Sequence, residues 1–248
     1  MPKAFYSYPD ALVFRGIYEV LSKIIDEVNI DIKDDGIVIR ATDPAQVAYM
    51  EVEIPSHAFT QFSVEEAGDY GLVVSTINKA LKSAKRGFRL DTKVEGDEVQ
   101  FIIVGAIKKT FLFRAIAVPK PELNLEALSF AAKSTILVEA MKNALKDIEL
   151  VSDKVIIEQE NSEVLRLKGA GETKYALTIS RSSGAVIDMS GEGKIVSSYN
   201  VDYLVNILPL LKVSDTMTLE FIENGPLKAT IDIPTGGRVT FLLAPYVG

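Results

Sequence analysis

The sequence predicts an α+β protein built from two similar domains, and the order of its elements is the main evidence. A helix, a group of strands, a second helix and three further strands follow one another in the first half, and the same order starts again after residue 133. Tyr70 and Tyr199, before the second helix of each half, lie 129 residues apart, and Leu12 and Leu137, in the first helices, lie 125 apart. Both spacings are close to half of 248 residues, which indicates a duplicated domain.

Apolar periodicity predicts four helices. In the first, residues 10–28, the apolar side chains recur at intervals that place them on one helical face: Val13, Ile17, Val20, Leu21, Ile24 and Val28. By the same criterion the second helix spans residues 76–86, the third 134–148 and the fourth 201–211. Each of these helices has one face suited to packing on a sheet.

Alternating apolar and polar residues predict the strands. In the first half they are 29–33, 37–42, 47–54, 88–94, 98–104 and 110–118, and in the second half 154–159, 164–169, 174–180, 217–222, 227–233 and 239–244. Pro119 and Pro121 interrupt both kinds of element. We therefore place an N-terminal domain at 1–117, a partly extended connector at 118–133 and a C-terminal domain at 134–248.

Composition argues against catalysis and against bound metals or cofactors. The chain has no cysteine, its single histidine is His57, and the phosphate-binding pattern G-x-x-x-x-G-K-[ST] is absent. Residues 31–36 look like the start of a calcium loop, but Lys33 occupies a ligand position, so a hairpin turn is expected. The first ten residues lack the apolar run of a signal peptide, and no long uncharged apolar stretch occurs, so we expect an intracellular protein without membrane contact.

Charge is unevenly distributed along the chain. The formal net charge is −7, yet residues 73–90 contain Lys79, Lys82, Lys85, Arg86 and Arg89 and no acid. On a helix over 76–86, Lys79, Lys82 and Arg86 share one face, opposite the apolar stripe. Such a face suits sequence-independent contact with the phosphates of duplex DNA. The alternative at this point is an ordinary solvated surface.

Several stretches, in order along both halves, give the chain a family resemblance. They are IIDEVNIDI at 24–32, ATDPAQV at 41–47, NKALK at 78–82, the pairs at 198–199 and 203–204, GPL at 225–227 and LAP at 243–245. With these the chain resembles the proliferating cell nuclear antigen family, the sliding clamps of archaea and eukaryotes, and an archaeal member in particular. The resemblance implies a duplicated clamp fold with antiparallel sheets outside and four helices facing the interior of a three-subunit ring.

For the clamp interior, the resemblance implies contact with double-stranded DNA, independent of sequence. Arg15, Lys79, Lys82 and Lys146 match DNA-facing positions, and Lys108 and Lys109 lie close to another. With Lys85 and Arg86 of the basic stretch they form the predicted DNA-binding set. Asn143 and Pro209 stand where related clamps can carry cations, so a less basic interior is expected in the second half.

The resemblance also implies two kinds of protein contact. Strands 110–118 and 174–180 are expected to pair between neighbouring subunits, identical or paralogous, through Phe111, Phe113, Ile116, Tyr175, Leu177 and Ile179. Short client peptides from DNA polymerase, flap endonuclease and ligase are expected in an apolar pocket under the connector, and a clamp loader is a further implied partner. The predicted lining of the pocket is Gln46, Val47, Tyr49, Leu123, Pro226, Ala244 and Pro245.

The predicted function is thus that of a DNA sliding clamp, a processivity factor for DNA replication and repair. Two alternatives belong to other classes. An enzyme on a duplicated α+β scaffold would show a pocket with perturbed titratable groups, and a protein-interaction domain that forms no ring would remain monomeric. The expected location is the cytoplasm or nucleoid, or the nucleus in a eukaryote.

Overall fold

The computed structural model describes residues 2–121 and 123–247, apart from the side chain of Glu126. The chain forms two compact units. The first contains the residues up to 122 together with 233–239, and the second contains residues 123–232 and those from 240 onward.

The described residues of the first unit form nine strands and two α-helices. In chain order they are β1 (Lys3–Tyr8), α1 (Ala11–Ile24), β2 (Glu27–Lys33), β3 (Gly36–Thr42), β4 (Ala48–Pro55), β5 (Gln61–Glu66), β6 (Gly68–Val73), α2 (Val74–Leu81), β7 (Arg89–Glu95), β8 (Glu98–Val104) and β9 (Lys108–Arg114). Five strands pair antiparallel in the order β5-β1-β7-β8-β9, and four in the order β4-β3-β2-β6.

The second unit repeats this order element by element. It contains β10 (Ala132–Leu137), α3 (Val138–Glu149), β11 (Lys154–Gln159), β12 (Val164–Ala170), β13 (Lys174–Ser180), β14 (Val186–Gly191), β15 (Ile195–Asn200), α4 (Val201–Asn206), β16 (Thr216–Phe221), β17 (Leu227–Asp232) and β18 (Arg238–Leu243). Its sheet orders, β14-β10-β16-β17-β18 and β13-β12-β11-β15, match those of the first unit. The predicted duplication is confirmed.

The helices have one face on the core and the other exposed. Along α1, Val13, Ile17 and Leu21 are buried, whereas Lys23 is exposed. The Asp10 side chain caps the helix by accepting a hydrogen bond from the backbone N–H of Leu12 at 2.9 Å. Because α1 packs against α2, and α3 against α4, each unit presents a pair of adjacent helices.

The structure corrects several predicted element boundaries. The predicted first helix is too long, since α1 ends at Ile24 and Val28 lies in β2. Residues 134–137 belong to β10 and not to the third helix, so the predicted connector 118–133 also includes the start of this strand. The fourth helix ends at Asn206, and a 3₁₀ turn at Leu210–Lys212 follows. Six strands were missed altogether: β1, β5, β6, β10, β14 and β15.

In the first unit, residues 115–120 run along the end strand β6 and are also bound by side chains of β2. The backbones of Gly71 and Ile116 exchange two hydrogen bonds of 2.9 Å. Beyond them, the Asn29 side chain donates to the Val118 carbonyl at 3.1 Å, and the ammonium of Lys120 pairs with Asp31. A Cβ on Gly71 would approach the Val118 side chain to 2.3 Å, so only glycine allows the segment to lie this close.

Candidate nucleic-acid interface and partner sites

The basic stretch of the first unit lies at and just beyond the end of α2. Lys79 is exposed on the helix, and Lys82 is its exposed C-cap. The predicted helix 76–86 is wrong in its extent, because α2 begins at Val74 and ends at Leu81. Lys85 and Arg86 are both exposed, but they lie in the turn that follows. The four cations are therefore neighbours along one segment, and Arg86 does not share a helical face with Lys79.

Arg15 joins α1 to this segment. Its guanidinium donates to the Ala84 carbonyl at 3.3 Å, in the turn between α2 and β7. The side chain is half-buried, so part of it stays accessible beside the basic turn. Together with Lys79, Lys82, Lys85 and Arg86, it gives the helix pair of the first unit a surface suited to phosphate contact.

The helix pair of the second unit has the opposite charge balance. Lys146, a member of the predicted DNA-binding set, is exposed on α3, but Glu139, Asp147 and Glu149 are exposed on the same helix. Lys142 is paired with Glu139 at 2.9 Å, and this pairing lowers the pKa of Glu139. Asn143 is exposed and Pro209 is buried. Any basic DNA-facing surface is therefore concentrated in the first unit.

The strands predicted to join neighbouring subunits both lie at the end of a sheet, β9 in the first unit and β13 in the second. Phe111 and Phe113 of β9 are half-buried, and Phe113 contacts Phe101 with ring centroids 5.3 Å apart. The predicted strand 110–118 extends too far, because β9 ends at Arg114 and Ile116 pairs with Gly71 of β6 instead. Lys108 and Lys109 are the first residues of β9, and Lys108 is exposed.

On β13, Tyr175 and Leu177 are half-buried and Ile179 is buried. Burial raises the pKa of Tyr175, and a hydrogen bond with Asp147 of α3 raises it further. In both edge strands the partly exposed apolar side chains therefore alternate with exposed residues. A second edge strand would complete their burial.

The predicted peptide-binding residues of the first unit surround a tight turn between β3 and β4. The Asp43 carboxylate accepts hydrogen bonds from the backbone N–H groups of Val47 and Ala48, at 2.7 and 2.6 Å. Gln46 is exposed, with a positive φ of 56°, and Val47 is half-buried. Tyr49 is only 4% exposed and its hydroxyl donates to Glu51 at 2.9 Å, so its contribution is to sheet packing.

The remaining predicted peptide contacts lie in the second unit. Leu123 is 47% exposed, so its apolar surface is accessible to a ligand. Pro226, Ala244 and Pro245 are half-buried. The sequence analysis missed Tyr246, whose backbone N–H donates to the Ser198 carbonyl at 2.7 Å and ties the chain after β18 to β15. The duplication could have revealed this contact, because residues 115–118 run along β6 in the first unit as the chain after β18 runs along β15 in the second.

Comparison with known proteins identifies the family. Residues 6–112 match the model of the N-terminal domain of proliferating cell nuclear antigen. The chain is 32% identical over 243 residues to DNA polymerase sliding clamp 1 of Aeropyrum pernix, covering 96% of this chain and 98% of the relative. It is 33% identical over 249 residues to the DNA polymerase sliding clamp of Pyrococcus furiosus, covering 96% and 99%.

Solved structures agree. The structure of the PCNA2–PCNA3 complex from Sulfolobus tokodaii matches with a TM-score of 0.91 and 26% identity, covering 97% of this chain and 98% of that one. The fold of PCNA from Thermococcus kodakaraensis matches with a TM-score of 0.90 at 24% identity, covering 98% and 100%.

The chain belongs to the proliferating cell nuclear antigen family. This membership confirms the predicted family and the duplicated clamp fold, and it gives the alternative of an enzyme on the same scaffold no support. Within residues 2–121 and 123–247, no cluster of three or more histidine, aspartate or glutamate side chains is arranged to hold a metal ion. No described helix is long and apolar enough to cross a membrane.

Proposed function

We propose that this chain is one subunit of a three-subunit DNA sliding clamp, which encircles duplex DNA and tethers replication and repair enzymes to it. The ring does no chemistry of its own. Tethering by enclosure requires only weak, sequence-independent contacts, because the ring cannot dissociate sideways. Such a protein works at the chromosome, and so inside the cell.

The observation that carries this proposal is the pair of end strands, β9 and β13. A ring needs a head-to-tail interface, in which one surface of each subunit meets a different surface of the next. β9 and β13 are two different edges on one chain, and both carry half-buried apolar side chains, Phe111 and Phe113 on one and Tyr175 and Leu177 on the other. Pairing β9 of one subunit with β13 of the next gives the unpaired backbone N–H and C=O groups of both edge strands hydrogen-bond partners.

DNA contact is assigned mainly to the first unit. Lys79, Lys82, Lys85 and Arg86 are exposed within eight residues of one another, and no acid interrupts them. Arg15, Lys108, Lys109 and Lys146 complete the proposed set. The net charge of −7 does not oppose this function, because an acidic exterior can coexist with a local basic surface.

Client enzymes, with DNA polymerase, flap endonuclease and ligase as the proposed examples, dock through short peptides. The proposed contacts are Gln46, Val47, Leu123, Pro226, Ala244 and Pro245, all of which have exposed or half-buried side chains. Tyr49 supports the strand beside them. The clamp loader is the partner proposed to open the ring, and the two other subunits are identical copies or paralogues of this chain.

A topological experiment tests the function. The chain, with its paralogues if it needs them, is placed by the clamp loader and ATP on nicked circular DNA, and the complex is washed in high salt. We expect the protein to stay on the circle and to be released when the DNA is cut at one site, because a ring slides off a free end. Equal retention before and after cutting would show binding by contact alone and contradict the proposal.

A further inference from the structure

The first unit contains a cavity of about 520 Å³ beside residues 115–120, the segment that runs along β6. Its walls combine apolar side chains with one carboxylate: Pro2, Asp69, Tyr70, Gly96 and residues 115–119. None of the six residues proposed as peptide contacts lines it. The cavity is large enough for a few side chains of a peptide.

The second unit shows what fills the equivalent place. There, the hairpin between β16 and β17 has a five-residue loop, 222–226, whereas the equivalent β7–β8 loop is only Gly96-Asp97. The longer loop reaches the edge of β15. Asn224 donates its backbone N–H to the Val196 carbonyl at 3.1 Å, and the Glu223 carboxylate accepts the Val196 N–H at 2.6 Å. Loop 222–226 thus caps this edge from within its own chain.

Strand register makes Asp69 the counterpart of Val196. Asp69 lies opposite Asp31 in the β2–β6 pair, and Val196 lies opposite Glu158 in the β11–β15 pair. Two residues further on, Gly71 pairs with Ile116 and Ser198 accepts from Tyr246, again at equivalent places.

Backbone groups two residues apart in a strand point to the same edge. The Asp69 N–H and C=O therefore point, like those of Gly71, away from β2. Among the described residues no backbone partner meets the Asp69 groups on that edge. The cavity thus borders an unpaired donor and acceptor, which in the second unit are satisfied by loop 222–226.

We propose that this cavity is a binding site for a short loop of a partner protein, which supplies to the Asp69 carbonyl the backbone donor that Asn224 supplies to Val196 in the second unit, while the Asp69 N–H stays open to solvent. The loop inserts an apolar side chain between Tyr70 and Val118 and donates a backbone N–H to the Asp69 carbonyl. Its neighbouring side chain differs from Glu223, because Asp69 would repel a carboxylate where Val196 does not. A lysine, which can pair with the Asp69 carboxylate, suits that position. The site does not depend on ring formation or on DNA.

Fluorescence anisotropy with two labelled heptapeptides tests this site on the full chain. One peptide is FIENGPL, which copies residues 221–227, and the other is FIKNGPL. We expect the lysine peptide to bind with a Kd of about 0.1–1 mM, as suits a short flexible ligand. The glutamate peptide should bind at least about fivefold more weakly, because Asp69 repels its carboxylate. No saturable binding of the lysine peptide, or equal affinity for both peptides, would overturn the proposal.

Variants locate the binding. Asp69→Val copies the second unit and should remove the preference for lysine, whereas Asp34→Val, an exposed acid in the β2–β3 turn, should leave it unchanged. Ala117→Trp places a large side chain at the cavity wall and should weaken the lysine peptide at least about tenfold. Circular dichroism of each variant checks its fold. Unchanged peptide affinity in a folded Ala117→Trp chain would place the binding elsewhere and sink the idea.

Discussion

Asp31 and Glu158 occupy the same position in the two units, and each carboxylate is shared by three cations. Asp31 pairs with Lys120 and lies 3.7 Å from Arg40 and 4.0 Å from Lys33. Glu158 pairs with Arg166, Lys168 and Lys194 at 3.0, 2.9 and 3.2 Å. The Asp31 and Glu158 side chains are only 10% and 8% exposed. Arg40 and Lys168 occupy equivalent positions in the two clusters, whereas the other cations come from different places: Lys33 and Lys120 in the first unit, Arg166 and Lys194 in the second.

The Glu158 cluster predicts a stability change in acid. Burial raises the pKa of Glu158, but hydrogen bonds from Lys168, Lys194 and Arg166 outweigh it and lower the pKa from 4.5 to about 2. Because the folded-state pKa lies below the unfolded one, the stabilisation is complete above about 4.5 and is lost as the pH falls towards about 2. Glu158→Gln should therefore lower the free energy of unfolding at neutral pH and flatten its fall across that window.

Urea unfolding at several pH values measures this effect. Glu149→Gln, at an exposed position on α3, is the matched control and should follow the wild type throughout. If Glu158→Gln lost stability in parallel with the wild type between pH 4.5 and 2, the acid sensitivity would arise from other groups.

The edge-strand interface predicts a complementation result for a chain that assembles with itself. Phe113→Asp damages β9 and Leu177→Asp damages β13, because each places a charge on a half-buried apolar surface. Each variant alone should be monomeric by light scattering. An equimolar mixture should form a dimer, since the intact β13 of one variant pairs with the intact β9 of the other.

Ile187→Asp, at a 59% exposed position on β14, is the control and should leave assembly unchanged. Melting curves show whether the variants fold, which matters because Phe113 also contacts Phe101. Folded variants that assemble like the wild type would rule out β9 and β13 as the interface.

The basic segment predicts a change in DNA binding that is the same for every sequence. Replacing Lys79, Lys82 and Arg86 by glutamate should weaken retention on DNA while leaving subunit assembly intact. Three lost phosphate contacts should reduce the salt dependence, the slope of log K against log salt, by about 2.7 at most.

Charge reversal at two other exposed lysines, Lys93 and Lys133, forms the control. A second comparison replaces Lys142 and Lys146 by glutamate, which should have a smaller effect because acids already surround them on α3. If the triple variant at Lys79, Lys82 and Arg86 slid on primed DNA and supported the polymerase at physiological salt like the wild type, the basic segment would be only a solvated surface.

The exposed Leu123 predicts the outcome of a peptide titration. Leu123→Ala combined with Pro245→Ala should leave assembly intact and weaken a client peptide at least about tenfold, because both substitutions remove accessible apolar surface. Calorimetry measures the affinity, and Leu150→Ala, at an 82% exposed leucine, is the control. Wild-type affinity in the double variant would mean that the peptide binds elsewhere.

Sequence periodicity predicted the parts of the fold in which burial is one-sided and regular. The duplication, the four helices and the strands at 98–104, 154–159 and 174–180 were all visible, the last three at their true bounds. β5 and β14 were missed because they are edge strands with few buried side chains. β10 was assigned to a helix because its apolar Ile136 and Leu137 run directly into the stripe of α3.

Site prediction from sequence was limited by turns and by register. Nothing in the spacing of Lys79, Lys82 and Arg86 shows that α2 stops at Leu81, since the turn depends on contacts such as the hydrogen bond from Arg15 of α1 to the Ala84 carbonyl. Likewise, the family resemblance suggested peptide contact for Tyr49, but its burial depends on the sheet around it. The cavity beside Asp69 depends on a difference in loop length between the two units. Recognising this difference requires the register of β6 and β15, which makes Asp69 the counterpart of Val196.

Because Gly71 has no side chain, its replacement by alanine is expected to make the protein temperature-sensitive. A methyl group there would meet Val118 and the Ile116 carbonyl, at 2.3 and 2.7 Å, while the strand itself tolerates alanine. Gly71→Ala should therefore loosen residues 116–118 before it disturbs the remainder of β6. In cells such a change would act as a temperature-sensitive lesion, permissive in the cold and defective when warmed, because a segment held by a few hydrogen bonds detaches well below the melting temperature of the unit.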